Sequence, residues 1–259
     1  MLMRDMLEQL SEAIRDTVWD LPESFDMGQE LGMGADGTPT SNIDKVAEDA
    51  IFRFVEENDL PVNILSEEAG FVDRNMDRTL VADPIDGTHN AVMGLPFFSV
   101  SLALGSRSLS DIEEGIVRDL ANDDVFYARK GEGAILNARK IQVRNYHPRT
   151  ATFLVYMGRH MNPETFQIIR KSMMSRALGC ASLEMCMLAK GRADVQYMNT
   201  EIYEKSIRVV DIAASALILR EAGGEVYTLQ KEKLDMPFNL EFRSNFFAVG
   251  DPQVLEAIF

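Results

Sequence analysis

Leu2, Met6, Leu10, Ile14 and Val18 recur at helical spacing, which predicts an amphipathic helix over residues 2–18. A glycine-rich stretch, 28–37, reads as a mobile loop, and 44–57 predicts a second helix. The short apolar runs 62–65 and 79–82 each lead straight into acidic residues. Alternation rich in Phe, Ser and Val predicts a strand over 96–104. Residues 112–117 and 124–128 predict two more, the last ending at the Gly131-Glu132-Gly133 turn. The first half is thus helices followed by a largely antiparallel sheet. After residue 145 strands and helices alternate: strand 152–156, helices 163–174 and 183–190, strand 193–197, helix 210–222 closed by Gly223-Gly224, and strand 246–249. Pro252 opens a short terminal helix. The fold class is therefore α/β, with an α+β N-terminal half (1–145) and an α/β C-terminal half (146–259) joined without a long linker.

The chain has 259 residues, 46% hydrophobic and 26% charged, an ordinary globular composition. At this length it can bury enough surface to fold without disulfides or a structural metal. Cys180 and Cys186 match no redox or zinc spacing, so a cytoplasmic location is expected. Arg4, Asp5 and Glu8 interrupt the first residues, which argues against a signal peptide, and no window has the length of a membrane span. With 41 acidic and 26 basic residues the net charge is −15, which disfavours nucleic acid as a partner, because phosphate contacts need clustered Lys and Arg. A phosphorylated small molecule stays compatible, since carboxylates can bind phosphate through metal ions.

The segment Asp83-Pro84-Ile85-Asp86-Gly87-Thr88 changes the picture most. It follows the apolar run 79–82, which puts both aspartates at a strand's carboxyl end, where α/β proteins gather their chemistry. Pro84 has no N–H to give a ladder and is expected to end the strand. Gly87 permits close backbone approach, and Thr88 begins a helical turn whose N–H groups could hold a phosphate. Glu67-Glu68 closes the earlier apolar run, and Asp211 stands at the start of helix 210–222. Two unit charges 4 Å apart repel by about 4 kcal/mol at an effective dielectric near 20, so such a cluster calls for cations. All-oxygen ligands favour magnesium, manganese or calcium over zinc, and the scattered His89, His147 and His160 suggest no zinc site. Magnesium (Mg2+) is the expected ion, with manganese as the alternative.

Glu67-Glu68, Asp83-Pro84-Ile85-Asp86-Gly87-Thr88 and Asp211-Ile212-Ala213-Ala214, in this order and spacing, resemble the signature of the inositol monophosphatase superfamily. Residues 32–40 and 207–211 are similar to its archaeal-type branch, which acts on both inositol monophosphate and fructose 1,6-bisphosphate. The resemblance implies a layered α-β-α-β-α sandwich, a homodimer, and a magnesium-dependent phosphomonoesterase acting on a small sugar or cyclitol phosphate. It implies that Glu67, Asp83 and the Ile85 carbonyl hold one ion and that Asp83, Asp86 and Asp211 hold a second. Most of these ligands lie in 1–145, while 146–259 supplies Asp211 and substrate contacts. Asp36, in the glycine-rich loop, would help hold a third ion near Glu67. Gly87 and Thr88 N–H groups would grip the phosphate, and the Thr88 hydroxyl paired with Asp44 would orient and deprotonate the attacking water, whose pKa the metals lower. Gly179, Cys180 and Ala181 resemble the family's substrate-facing stretch, and Arg176 and Arg208 are candidates for a distal phosphate.

Three positions depart from inositol-selective relatives. Val210 stands where they carry Trp, the segment Val195-Gln196-Tyr197-Met198 lacks their inositol-binding Glu, and Asp36 occupies the loop where they carry lysine. The substrate stays open between inositol 1-phosphate and fructose 1,6-bisphosphate. A nucleotide 3′-phosphatase and a catalytically silent metal- or phosphate-binding regulator are the alternatives. A silent protein is expected to have lost a ligand or Thr88, and none is missing. Gly32, Gly34 and Gly37 spell a dinucleotide fingerprint, but Gln29-Glu30 precedes it where a strand should, and Pro39 stands against immediate helix entry.

Overall fold

The computed structural model describes residues 3–35 and 37–258. Helix α1 (Met3–Trp19) and helix α2 (Asn42–Glu57) are the amphipathic helices that the periodicity predicts. Between them strands β1 (Glu30–Met33) and β2 (Pro39–Ser41) pair antiparallel, two short strands that the glycine-rich composition does not predict. This segment leans on Glu68, whose carbonyl accepts the Ala35 N–H (2.9 Å) and whose carboxylate accepts the Thr40 hydroxyl. Helix α2 starts earlier than its apolar pattern because Ser41 caps it. The Ser41 hydroxyl accepts the Asp44 N–H, and the Asp44 carboxylate accepts the Ser41 N–H.

Eight strands follow: β3 (Asn63–Ser66), β4 (Gly70–Val72), β5 (Thr79–Asp86), β6 (Ser99–Gly105), β7 (Glu114–Asp119), β8 (Val125–Arg129), β9 (Gly133–Leu136) and β10 (Arg139–Ile141). They form one sheet in the order β10-β9-β8-β7-β6-β5-β3-β4, antiparallel except between β3 and β5. Because β3 and β5 run parallel with Ser66 beside Ala82, Glu67 and Asp83, the next residue of each, come to the same end of the two strands. Pro84 does not end β5, contrary to the expectation above. The register against β6 slips between Asp83 and Asp86, and β3 stops pairing at Ala82, so the proline sits in a bulge where no ladder donor is required. Helix α3 (Thr88–Val92) follows at once.

The second sheet holds β11 (Thr152–Val155), β12 (Met174–Arg176), β13 (Val195–Met198), β14 (Glu225–Thr228) and β15 (Phe246–Val249), ordered β12-β11-β13-β15-β14. Helices α4 (Thr165–Ile169), α5 (Ala181–Ala189), α6 (Val209–Glu221) and α7 (Val254–Ile258) complete the chain. The helix expected over 163–174 is only α4. Met173 and Met174 N–H groups turn to the Ala151 carbonyl (2.9 and 3.0 Å) and start an edge strand instead.

Alternation along the strands divides the core. Leu80, Ala82, Leu102 and Leu104 face α1 and α2, whereas Val81 and Ala103 face α5 and α6. Leu154, Val226, Phe246 and Ala248 of the second sheet close on α5 and α6 from the other side. Its outer face, with Phe153, Val195 and Phe247, packs on Ile168 of α4 and Val254 and Ile258 of α7. The result is the expected α-β-α-β-α sandwich. Helix α6 is buried over nearly all its length and correspondingly apolar all round. No helix among the described residues is long and apolar enough to cross a membrane.

Candidate active site

The end of β3 delivers Glu67, the bulge of β5 delivers Asp83, and the first turn of α6 delivers Asp211. One carboxylate oxygen of each lies within 4.8 Å of the others. Asp83 is 2% exposed, and its Oδ1 has no hydrogen-bond partner among the described residues. Burial, and then the charges of Glu67, Asp86 and Asp211, push the Asp83 carboxyl well above the usual range. A buried, unpartnered carboxylate oxygen facing like charges is costly unless a cation meets it. The donor set is all oxygen, so these residues fit a hard divalent ion of the magnesium type.

Asp86 stands beside this group and is held by the start of α5. Its carboxylate accepts the N–H groups of Ala181 (3.2 Å) and Ser182 (2.6 Å), the Ser182 hydroxyl (2.5 Å) and the Cys180 thiol (3.1 Å). Burial raises its pKa against those hydrogen bonds. Burial and the Asp86 charge likewise push the Cys180 thiol up, which keeps it a donor and not a nucleophile. The hydroxyl of Thr88, the first residue of α3, lies 2.9 Å from Asp44 Oδ1 and 2.9 Å from the Ile85 carbonyl oxygen, so its one hydrogen has two acceptors in reach, of which the carboxylate is the stronger. Asp44, fixed at the third position of α2 by Ser41, has its pKa raised by burial against the hydrogen bonds from Ser41 and Thr88.

Of the two arginines expected at a distal phosphate, Arg208 lines the cleft and Arg176 does not. Arg208 turns to the carboxylates: Nη1 is 2.7 Å from Glu67 Oε1, and Nη2 is 2.5 Å from Asp211 Oδ1. Arg176 is exposed on β12, donates to the Ser175 carbonyl, and is not among the residues lining the cleft. That cleft, about 520 Å³, adjoins Asp86, Asp211 and Arg208 and continues past Gly179, Cys180 and Ala181 to Tyr156, Lys205 and Arg243. Gly87 has φ +87°, and a Cβ there would meet Cys180 Cβ at 3.1 Å and the Gly179 carbonyl at 3.2 Å, so glycine lets these segments close together. Asp36 lies outside the described residues.

Sequence reasoning missed Glu184. Its Oε1 accepts the N–H groups of Leu178 (2.9 Å) and Gly179 (3.1 Å), and its Oε2 accepts Nε2 of Gln196 (3.2 Å). It therefore shapes the segment that walls the cleft, and burial pushes its pKa up to about 7. The available signal was a lone acid inside the apolar run of α5.

The inositol monophosphatase family profile matches residues 3–253. The chain is 34% identical to the fructose-1,6-bisphosphatase/inositol-1-monophosphatase of Methanothermobacter thermautotrophicus, over 96% of this chain and 92% of that one. It is 31% identical to the bifunctional NADP phosphatase/NAD kinase of Methanococcus maripaludis, over 91% of this chain and 46% of that protein. The crystal structure of an inositol monophosphatase–fructose 1,6-bisphosphatase superposes with a TM-score of 0.88 at 28% identity, covering 100% of this chain and 98% of that one. Sequence, fold and carboxylate geometry thus agree, and the chain belongs to the inositol monophosphatase family.

Proposed function

We propose that this protein is a magnesium-dependent phosphomonoesterase that hydrolyses inositol 1-phosphate, fructose 1,6-bisphosphate or both. The observation that carries this reading is the Thr88–Asp44 pair seated against the carboxylate group, joined to it through the Ile85 carbonyl. Glu67, Asp83 and the Ile85 carbonyl are assigned to one ion, and Asp83, Asp86 and Asp211 to a second. Asp36 is assigned to a third. When bound, such ions neutralise the phosphate and lower the pKa of the attacking water.

The side chains do the rest. Asp44, as the charged acceptor, draws the Thr88 hydroxyl hydrogen and leaves that oxygen a lone pair for a hydrogen of the water. Burial makes Asp44 a stronger base than an exposed aspartate, so the proton has a place to go. The Gly87 and Thr88 N–H groups, at the start of α3, are assigned to the phosphate oxygens. Gly179, Cys180 and Ala181, which line the cleft, are assigned to the rest of the substrate.

A nucleotide phosphate is the second reading, favoured by the NADP phosphatase relative. The test is a kcat/KM panel under magnesium with inositol 1-phosphate, fructose 1,6-bisphosphate, 3′-phosphoadenosine 5′-phosphate and NADP. The proposal expects one of the first two to lead by at least about tenfold, and a nucleotide in the lead would replace it.

The halves 1–145 and 146–259 are proposed as subdomains, the second bringing Asp211 and the substrate wall to the ligands of the first. A homodimer is also proposed. Val92 at the end of α3, Met93 and Leu95 after it, and Met173 and Met174 at the start of edge strand β12 are exposed apolar residues available for such a contact. Light scattering at twice the chain mass is the expected result. The free, buried state of both cysteines supports a reducing, cytoplasmic setting.

A further inference from the structure

Arg208 is built into the carboxylate group. Its Nη1 lies 2.7 Å from Glu67 Oε1, its Nη2 2.5 Å from Asp211 Oδ1, and its Nε 3.1 Å from both oxygens of Asp211. The backbone keeps it there. Arg208 is the N-cap of α6, and its own N–H donates to Asp211 Oδ2 at 2.7 Å. The side chain is only 12% exposed. Glu67 and Asp211 are two of the three residues whose oxygens converge within 4.8 Å. The oxygens at these distances belong to Glu67 and Asp211, and a divalent ion bound among the three carboxylates must share them or take them over. The third residue differs, since Asp83 keeps an oxygen with no partner among the described residues.

We infer that Arg208 is a resident counter-cation that competes with the divalent ion for Glu67 and Asp211, and so sets how much ion the site needs. The inference rests on the metal-centre reading above. Asp83 offers the entering ion its first uncontested oxygen, and Glu67 and Asp211 are recruited at the expense of the guanidinium. Two consequences follow from charge alone. The fork holds two of the three mutually repelling carboxylates, Glu67 and Asp211, together before the ion arrives, and it weakens the ion's affinity once it has arrived.

Calorimetric titration of magnesium into substrate-free protein tests this, with thermal melts in EDTA beside it. Arg208→Gln is expected to tighten magnesium binding by about tenfold or more, because a unit charge close to the ion is gone. Arg208→Lys keeps the charge but loses the two-pronged fork, so its Kd should fall between the two. In EDTA, Arg208→Gln should melt below wild type, and magnesium should raise its Tm by more than it raises that of wild type. Should the Gln variant not fold, the Lys variant decides by the same comparison. A wild-type protein that takes up no divalent ion overturns the metal-centre reading itself. Wild-type binding with equal or weaker binding by the variants overturns the competition alone. An unchanged magnesium Kd with a raised KM for fructose 1,6-bisphosphate would return Arg208 to the distal phosphate.

Discussion

Thr88 and Asp44 come from different helices, and a single 2.9 Å hydrogen bond makes them one unit. Thr88→Ala and Asp44→Asn are each expected to lower kcat by about 10²–10⁴-fold. The double variant should lose little beyond the worse single one, and multiplicative losses in steady-state kinetics would separate the two residues. Glu184 gives a prediction in pH. Its folded pKa of about 7 stands above the ordinary 4.5, so between those values the folded protein keeps a proton that the unfolded chain has released. The stability this contributes is fully present below pH 4.5 and is lost as the pH rises through 7. Glu184→Gln cannot ionise and should gain on wild type across that window, by at most about 3 kcal/mol. Melts at a series of pH values check this, and a stability difference that does not change with pH would contradict the raised pKa.

At the scale of elements, the site is assembled from first turns and strand ends: Asp44 on α2, Thr88 on α3, Ser182 on α5, Asp211 on α6, and the bulged end of β5. Helix α6 reaches it only because it lies very close to the large sheet. A Cβ on Gly115 of β7 would stand 3.0 Å from the Ala214 Cα, and backbone would have to move. Gly115→Ala is therefore expected to cost about 1–3 kcal/mol and lower the Tm. Gly32→Ala, with nothing within 4 Å, should leave the Tm nearly unchanged. Elements with a regular burial pattern were legible in the sequence: α1 and α2 by their apolar stripes, and β15 as a short apolar run. Strands β1 and β10 were not, because their side chains are mostly exposed and carry no alternation. Strand β12 hid inside a helix-like pattern, since its pairing with β11 is a long-range fact. Pro84 misled because its bulge depends on where β3 stops.

Across the whole molecule, two sheets with α5 and α6 between them bring carboxylates from both halves of the chain to one cleft. The metal-ligand candidates were legible because Asp83, Asp86 and Thr88 are neighbours in sequence, with Glu67 and Asp211 closing recognisable apolar segments. What surrounds them was not. The turn of Arg208 toward Glu67, and the bonds from Glu184 to Leu178 and Gln196, exist only once the layers are stacked. Asp83→Asn should abolish the response to metal, and it should raise the Tm measured in EDTA by relieving repulsion from Glu67, Asp86 and Asp211. The most direct test of the central claim is phosphate release from inositol 1-phosphate and fructose 1,6-bisphosphate by metal-stripped protein, before and after magnesium is returned. The account predicts no turnover in excess EDTA and recovery on adding magnesium in the wild type, with no recovery in Asp83→Asn. Full turnover in excess EDTA, or an Asp83→Asn enzyme within about tenfold of wild type, would contradict it.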